Sequence, residues 1–108
     1  MTQFSPTNIE IKVGCLNNPM TIIGKKWTAL ILRDLFNGPK RFCQLEQSVK
    51  SINPRTLSQR LDSLEQQGII NKKTAKEAGH SEYILTKKGY DLLPILQAMA
   101  SWGVKYRG

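Results

Sequence analysis

The centre of the chain has leucines at helical spacing, separated by polar residues. Counted as i, i+4 and i+7, they are Leu57, Leu61 and Leu64. Asn53 and Pro54 precede them and form a helix-start signal, because asparagine caps free N–H groups and proline suits the first helical turn. Gly68 follows in the position of a C-terminal cap. The pattern predicts a helix over residues 54–67, with an apolar inner face and a polar outer face.

Apolar residues at helical spacing also occur earlier in the chain. A helix is predicted over residues 26–36, and its inward stripe consists of Trp27, Leu30, Ile31 and Leu35. A short extended piece at residues 41–42 leads into a smaller amphipathic helix that ends near Lys50. The apolar side of that helix consists of Phe42, Leu45 and Val49. Pro19 suits the first turn of another short helix, which ends at Gly24.

After Gly68 the pattern becomes that of strands. Residues 69–75 and 81–85 predict a β-hairpin around a turn at residues 76–79. Thr86 then caps a last helix that reaches residue 106 and bends at Pro94.

The last helix is apolar on more than one side. Its large apolar residues are Leu92, Leu93, Ile95, Leu96, Met99 and Trp102. One side could complete the core of a single chain, but a helix that is apolar around most of its surface needs two partners. A second copy of the chain would supply the other. The alternation of Ile9, Ile11 and Val13 predicts an arm that packs in the same place.

This order of elements predicts a winged helix-turn-helix fold. The chain is mainly α-helical with one small β-hairpin, in which residues 54–67 form the second helix of the helix-turn-helix and the hairpin forms the wing. Residues 1–14 lack a clear period and are interpreted as an N-terminal arm. Residues 15–108 are then the domain.

The net charge of the chain limits the classes of molecule that it is expected to bind. The 108 residues make one domain, and 16 Lys and Arg against 8 Asp and Glu give a net charge of +8. Residues 25–60 hold eight basic and two acidic residues, so most of the positive charge lies around the helix-turn-helix. This charge predicts an anionic partner, and a capped polar helix favours double-stranded DNA over a membrane surface.

Several classes of protein are disfavoured. The N-terminal sequence lacks the features of a signal peptide, and the apolar stretch at residues 92–104 is too short to span a bilayer. A cytoplasmic protein without a membrane partner is therefore expected. One histidine and two cysteines without CxxC spacing disfavour a metal site and leave no cofactor to predict. An enzyme is not predicted, because no pair of acids or nucleophile–base set has catalytic spacing.

The outward face of the 54–67 helix supplies candidate DNA contacts. Arginine pairs bidentately with guanine and glutamine with adenine, and the first turns of a recognition helix reach the bases. The predicted base contacts are Arg55, Thr56 and Gln59, and Ser58 is a predicted phosphate or base contact. Arg60 lies nearer the core edge, where it would clamp a phosphate or pair with Glu65.

Basic residues of the wing and of one neighbouring segment are candidate backbone contacts. In the wing they are Lys72, Lys73, Lys76 and His80, and before the smaller helix they are Lys40 and Arg41. Glu77 and Glu82 leave a second interpretation open, in which the hairpin is a solvated turn. The alternative function is a winged helix that docks an acidic protein without specific DNA binding. Such a surface would expose an apolar or aromatic anchor, and none is expected on this helix face.

Three segments of the chain together resemble one family. They are IIGKKWTALILRDLFNGPKRF, LSQRLDSLEQQGII and EYILTKKGYDLLPILQAMASWG. Four motifs occur in a fixed order over residues 15–103: G-K-W, G-P-x-R-F, L-x-x-L-E-x-x-G and Y-x-L-T-x-x-G. This arrangement resembles that of the HxlR-type winged-helix transcriptional regulators, which are relatives of the MarR-type repressors. The resemblance implies a homodimeric regulator on a palindromic operator, with the terminal helices at the dimer interface. The chain departs from the usual pattern at Lys25, Cys43 and Leu16, none of which lies in the recognition helix.

Cys15 matches a cysteine that the family places just ahead of the first helix. In several members that residue senses oxidants, quinones or aldehydes, so the resemblance suggests a thiol switch with a small electrophile or oxidant as effector. A thiol close to a helix N-terminus and to Lys12 is favoured as a reactive site. The alternative is a buried or idle cysteine, and Cys43 is interpreted as a packing residue beside Phe42 and Leu45.

Overall fold

The computed structural model describes residues 13–75 and 80–107. Over these residues the chain forms helices and strands in the following order: α1 (Val13–Ile23), α2 (Thr28–Leu35), β1 (Lys40–Arg41), α3 (Phe42–Ser48), α4 (Pro54–Gln66), β2 (Ile70–Ala75), β3 (His80–Leu85), α5 (Lys87–Tyr90) and α6 (Leu93–Lys105). The predicted winged helix-turn-helix is confirmed, with α3 and α4 as the helix-turn-helix and the β2–β3 hairpin as the wing.

The core lies between α2, α3, α4 and the sheet. Its fully buried large side chains include Ile31, Leu32, Leu35, Leu45, Leu57, Leu61, Ile69 and Ile70. The three leucines predicted to face inward from α4 are all buried. Burial of each such side chain stabilises the fold by roughly 1.5–3 kcal/mol, so the inner face of α4 fixes the orientation of its outer face.

The sheet has three antiparallel strands in the order β1-β3-β2. The predicted hairpin is confirmed, but β1 adds a third strand to the sheet. This strand is only two residues long, so it leaves no alternating pattern in the sequence. The extended piece lies at Lys40–Arg41 and not at residues 41–42, because Phe42 already begins α3. The backbone N–H of Arg41 donates to Oε1 of Gln44 at 2.8 Å, which makes Arg41 the N-cap of that helix.

The first helix begins earlier than Pro19 suggested. α1 starts at Val13, and Pro19 lies inside it. The prediction was wrong because proline is favoured in the first helical turn without being confined to it. Val13 and Gly14 of the predicted arm are therefore helical, and residues 1–12 lie outside the described residues.

The inward stripe predicted for α2 was wrong at Leu30, whereas Trp27 is half-buried and packs against the core. Trp27 adopts a left-handed backbone conformation with φ 79° and caps the helix, which starts at Thr28. The buried apolar residues of α2 are Ile31, Leu32 and Leu35, at i+3, i+4 and i+7 from the buried Thr28. Leu30 is 36% exposed because this stripe turns it away from the core and toward α6.

The last helix is broken and not bent. Asp91 and Leu92 separate α5 from α6, and Pro94 lies in the first turn of α6. Proline lacks an N–H and its ring clashes with the preceding helical turn, so a helix restarts near it more easily than it continues through it. The predicted cap at Thr86 is confirmed, because its Oγ1 accepts a hydrogen bond from the N–H of Gly89 at 3.1 Å.

Candidate nucleic-acid interface

The start of α4 is fixed by the residues that the sequence marked as its cap. Oδ1 of Asn53 accepts a hydrogen bond from the backbone N–H of Arg55 at 2.7 Å, and Pro54 occupies the first helical position. Loss of a cap of this kind costs about 1 kcal/mol. The cap holds Arg55 in the first turn of α4, and this is the part of a recognition helix that reaches base edges.

The outward face of α4 is polar along its length. Its exposed residues include Arg55, Ser58, Gln59, Asp62 and Gln66, and Thr56 and Ser63 are half-buried beside them. Arg55 and Gln59 stand at i and i+4, so they lie on the same side of the helix. α4 is described in full, and it exposes no large hydrophobic side chain. This surface can donate and accept hydrogen bonds but offers no apolar anchor.

Arg60 connects α4 to the turn before α2. Its Nε donates to the backbone carbonyl oxygen of Lys26 at 3.3 Å, and the side chain is half-buried. Among the described ion pairs there is none between Arg60 and Glu65, so that alternative is not the observed one. A guanidinium carries five N–H donors, so the contact with Lys26 leaves others for a phosphate.

The C-terminal end of α4 is held by the segment that follows the wing. Nζ of Lys88 donates to the carbonyl oxygen of Gln67 at 2.8 Å, and Oγ1 of Thr86 donates to that of Gly68 at 2.5 Å. A cation at this end also interacts favourably with the helix dipole. Gly68 has φ +76°, the left-handed conformation that ends many helices. These contacts fix the position of the wing relative to α4.

One row of side chains across the sheet places two lysines beside an aromatic ring. Tyr83 of β3 lies opposite Lys40 of β1 and opposite Lys72 of β2. Directly opposite residues share a face of the sheet, so the three side chains form one row. Nζ of Lys72 lies 5.9 Å from the centre of the Tyr83 ring, within the range of a cation–π contact. Sequence reasoning singled out the lysines but missed the part played by Tyr83.

The neighbouring row places an acid between two cations. Glu82 lies opposite Arg41 on one side and opposite Lys73 on the other. Successive residues of a strand point to opposite faces, so Glu82 and Lys73 lie on the other face from Tyr83. Arg41 ends the two-residue β1 and borders the same crevice as Tyr83 and Lys72. Glu82 is therefore the cross-strand neighbour of Arg41 and Lys73, whereas the cross-strand neighbour of Lys40 and Lys72 is Tyr83.

The predicted cationic contacts of α4 and the sheet have no carboxylate partner in the described part of the chain. The ion pairs found there join Arg33 to Asp34 and Lys87 to Asp91, outside these elements. Unpaired cations retain their full attraction for a phosphate. Lys76 lies outside the described residues, and His80 is described only through its backbone, which pairs with Ala75 at the start of β3.

Both cysteines are free and exposed. Cys15 lies in the first turn of α1, and Cys43 lies in the first turn of α3. The interpretation of Cys43 as a packing residue was wrong. Phe42 and Leu45 face the core at helical spacing, so the residue immediately after Phe42 turns outward.

The last helix leaves an apolar face uncovered. Ile95, Met99 and Trp102 of α6 are 43%, 51% and 67% exposed, and no residue of this helix is buried. A groove of about 470 Å³ runs between α6 and α2, and its apolar walls include Leu30 and Phe36. Contiguous exposed apolar surface of this kind marks an interaction site.

None of the described helices is both long enough and apolar enough to cross a membrane. Within residues 13–75 and 80–107, no three His, Cys, Asp or Glu side chains are grouped so that they could hold a metal ion.

Comparison with known proteins gives the class of protein. The sequence matches the HxlR-like helix-turn-helix family over residues 22–108. YvaP of Bacillus subtilis (strain 168), an HTH-type transcriptional regulator, is 37% identical over 86 residues, which are 79% of this chain and 80% of YvaP. The reduced form of the transcriptional regulator YodB from B. subtilis superimposes with a TM-score of 0.82 at 30% identity, covering 89% of this chain and 95% of YodB. The redox regulator HypR in its reduced form gives a TM-score of 0.80 at 31% identity, covering 86% of this chain and 93% of HypR.

The helix-turn-helix, its wing and these relatives define a winged-helix transcriptional regulator. The chain belongs to the HxlR-like helix-turn-helix family, whose matched members are regulators and not enzymes. YodB has also been solved with a quinone bound, and that structure superimposes with a TM-score of 0.77 at 30% identity, covering 86% of this chain and 99% of YodB.

Proposed function

We propose that this chain is a homodimeric regulator that binds double-stranded DNA sequence-specifically. The observation that carries the proposal is the polar outward face of α4, which is capped at Asn53 and flanked by the unpaired cations of the sheet. α4 enters the major groove, where Arg55, Thr56 and Gln59 read base edges. Ser58 contacts a phosphate or a base from the same face.

Basic residues around α4 position it by holding the DNA backbone. The proposed phosphate contacts are Lys40, Arg41, Arg60, Lys72, Lys73, Lys76 and His80. Lys40 and Arg41 lie on β1 and Lys72 and Lys73 on β2, and none of the four has a described carboxylate partner. Phosphate contacts of this kind fix the register of a protein on the duplex without reading its sequence.

The exposed face of α6 supports a second copy of the chain as its partner. Its apolar residues continue into the groove beside α2, so one surface involves both helices. A two-fold pair of chains presents two α4 helices to successive major grooves, about 34 Å apart. The operator is then a palindrome with half-sites one helical turn apart, and the pair carries twice the charge of +8.

A binding assay on promoter DNA tests this function. Duplexes from upstream of the gene for this protein and of its neighbouring genes would be compared with random duplexes of equal length at physiological salt. We expect at least one fragment to bind about a thousandfold more tightly than random DNA. Equal, salt-sensitive binding to every fragment would contradict specific recognition and favour a winged helix that docks an acidic protein.

We further propose that oxidation or an electrophile at Cys15 controls DNA binding. The Cys15 thiol is free and exposed in the first turn of α1. The similar protein YodB has been solved reduced, after diamide treatment and with a bound quinone, and the similar protein HypR is a redox regulator. These relatives support a small oxidant or electrophile as the effector of this chain.

A further inference from the structure

A crevice of about 500 Å³ opens where α3, α4 and the sheet meet. Its walls include Arg41 and Lys72 from two strands of the sheet, Ser58 from the outward face of α4, and Ser81 and Tyr83 from β3. Cys43 of α3 also lies on the wall. The three structural elements that a winged helix-turn-helix would bring to DNA thus share one hollow.

The chemistry of the walls is that of an anion site. Two cations and three hydroxyl groups line the crevice, and among the described residues no acidic side chain does. The groove between α2 and α6 has the opposite character, because its walls are mostly aliphatic and aromatic with Arg33 as the one charged residue. Arginine and lysine donors together with hydroxyl groups are the groups that proteins use to hold phosphate oxygens.

The position of Lys72 is set before any ligand arrives. Tyr83 is only 8% exposed, and the Nζ of Lys72 lies 5.9 Å from its ring centre. The buried ring therefore gives the flexible lysine a preferred place beside the crevice, and less rotamer freedom is lost when the ammonium group binds an anion.

We infer that this crevice binds one backbone phosphate of the DNA, held jointly by Arg41, Ser58 and Lys72. The inference rests on the proposed DNA binding and names the contact that fixes how α4 lies in the groove. Ser58 is the neighbour of Gln59 and lies three residues after Arg55. A phosphate held at Ser58 therefore sets the distance between the DNA backbone and the base-reading side of the same helix turn.

Neutral phosphates inserted one at a time test this inference. A set of operator duplexes would each carry a single methylphosphonate, and their affinities for the wild type, Arg41→Gln and Lys72→Gln would be measured. We expect one position in each half-site where the neutral linkage weakens wild-type binding about tenfold. At that position each variant should lose less affinity than the wild type when the phosphate is neutralised, because one of the two cations that meet its charge is already absent.

Lys87→Gln is the matched control, because it removes one positive charge from an exposed side chain of α5. It should keep the full sensitivity of the wild type at every position. Loss of sensitivity at different positions in Arg41→Gln and Lys72→Gln would overturn the shared phosphate while leaving DNA binding intact. Failure of the wild type to prefer any operator would instead overturn the proposed function itself.

Cys43 provides a second readout that does not depend on affinity. In a Cys15→Ser chain, the rate of alkylation of Cys43 by N-ethylmaleimide would be measured with and without operator. We expect the natural duplex to slow alkylation at least tenfold, and the duplex with the critical methylphosphonate to slow it less at equal occupancy. Equal rates with and without saturating operator would show that DNA does not cover the crevice and would overturn the inference.

Discussion

Gly89 packs directly against the carbonyl oxygen of Ile69, and a β-carbon on residue 89 would overlap that oxygen. The oxygen is not free to withdraw, because it accepts a hydrogen bond from the backbone N–H of Thr86 at 3.0 Å. The glycine of the motif Y-x-L-T-x-x-G is therefore needed for α5 to pack against the backbone at Ile69. A hydroxyl at residue 86 and a missing side chain at residue 89 together dock α5 onto the start of the wing.

Gly89→Ala is expected to lower the free energy of unfolding by about 1–3 kcal/mol, since overpacking against a fixed backbone atom forces local shifts. Urea unfolding followed by circular dichroism measures it. Gly14→Ala is the control, because nothing lies within 4 Å of a β-carbon there and the residue is in α1. The control should be neutral or slightly stabilising. Equal losses in the two variants would contradict the packing argument.

Asn53→Ala should destabilise the protein by about 1 kcal/mol, because it removes the acceptor for the N–H of Arg55. Asn53→Ser keeps an oxygen acceptor at the N-cap and should lose only a few tenths of that amount. Thermal unfolding of the two variants beside the wild type gives the comparison. If serine were as damaging as alanine, the loss would come from some other contact of Asn53.

Arg55→Ala should weaken binding to an operator by about 1–3 kcal/mol and binding to random DNA much less, since a base contact is made only on the right sequence. Lys73→Ala removes a charge from an exposed position of β2 and should weaken both kinds of binding alike. Fluorescence anisotropy on matched duplexes separates the two patterns. Parallel losses in Arg55→Ala would make this residue a backbone contact.

Met99→Glu should convert a dimer of 12.2 kDa chains into monomers, because it buries a carboxylate in the proposed interface of α6. Operator binding should fall with it, since two linked half-sites bind far more tightly than one. Gln47→Glu adds the same charge at an exposed position of α3 and should leave the oligomer unchanged. Sedimentation equilibrium gives the masses, and a wild-type mass of one chain at micromolar concentration would refute this interface.

Cys15→Ser should abolish the response of DNA binding to diamide or a quinone while leaving binding in the reduced state unchanged. Titration of operator binding with each reagent, in the wild type, Cys15→Ser and Cys43→Ser, provides the measurement. Identical responses in the wild type and Cys15→Ser would exclude Cys15 as the sensing thiol. The Cys43→Ser chain controls for a reaction at the second exposed thiol.

The parts of the site that the sequence predicted are those fixed by local rules. Asn53 and Pro54 mark the start of α4, and Gly68 marks its end. The sequence predicts these ends because capping and left-handed backbone conformations depend on a few adjacent atoms. Its leucines point inward because a helix of 3.6 residues per turn brings them to one side. The same reasoning therefore placed Arg55 and Gln59 on the outside.

The parts that it missed depend on contacts between distant segments. β1 is a strand only because Lys40 and Arg41 pair with Tyr83 and Glu82, some forty residues away in sequence. The crevice is lined by residues from β1, α3, α4 and both strands of the wing, so no local spacing could reveal it. Leu30 was assigned to the core because a stripe shifted by one residue fits the same sequence almost as well.

The interruption at Asp91 and Leu92 sets the direction in which α6 leaves the rest of the fold, and so the angle between the two chains of the proposed pair. α5 is docked on the wing, whereas α6 runs on for 13 residues, or roughly 20 Å, from this two-residue joint. A rotation of about 10° at the joint displaces the far end of α6 by roughly 3 Å, close to the 3.4 Å rise of one base pair. In the proposed pair, the separation of the two recognition helices is thus set by a few backbone torsions between the part proposed to bind DNA and the part proposed to bind the second chain.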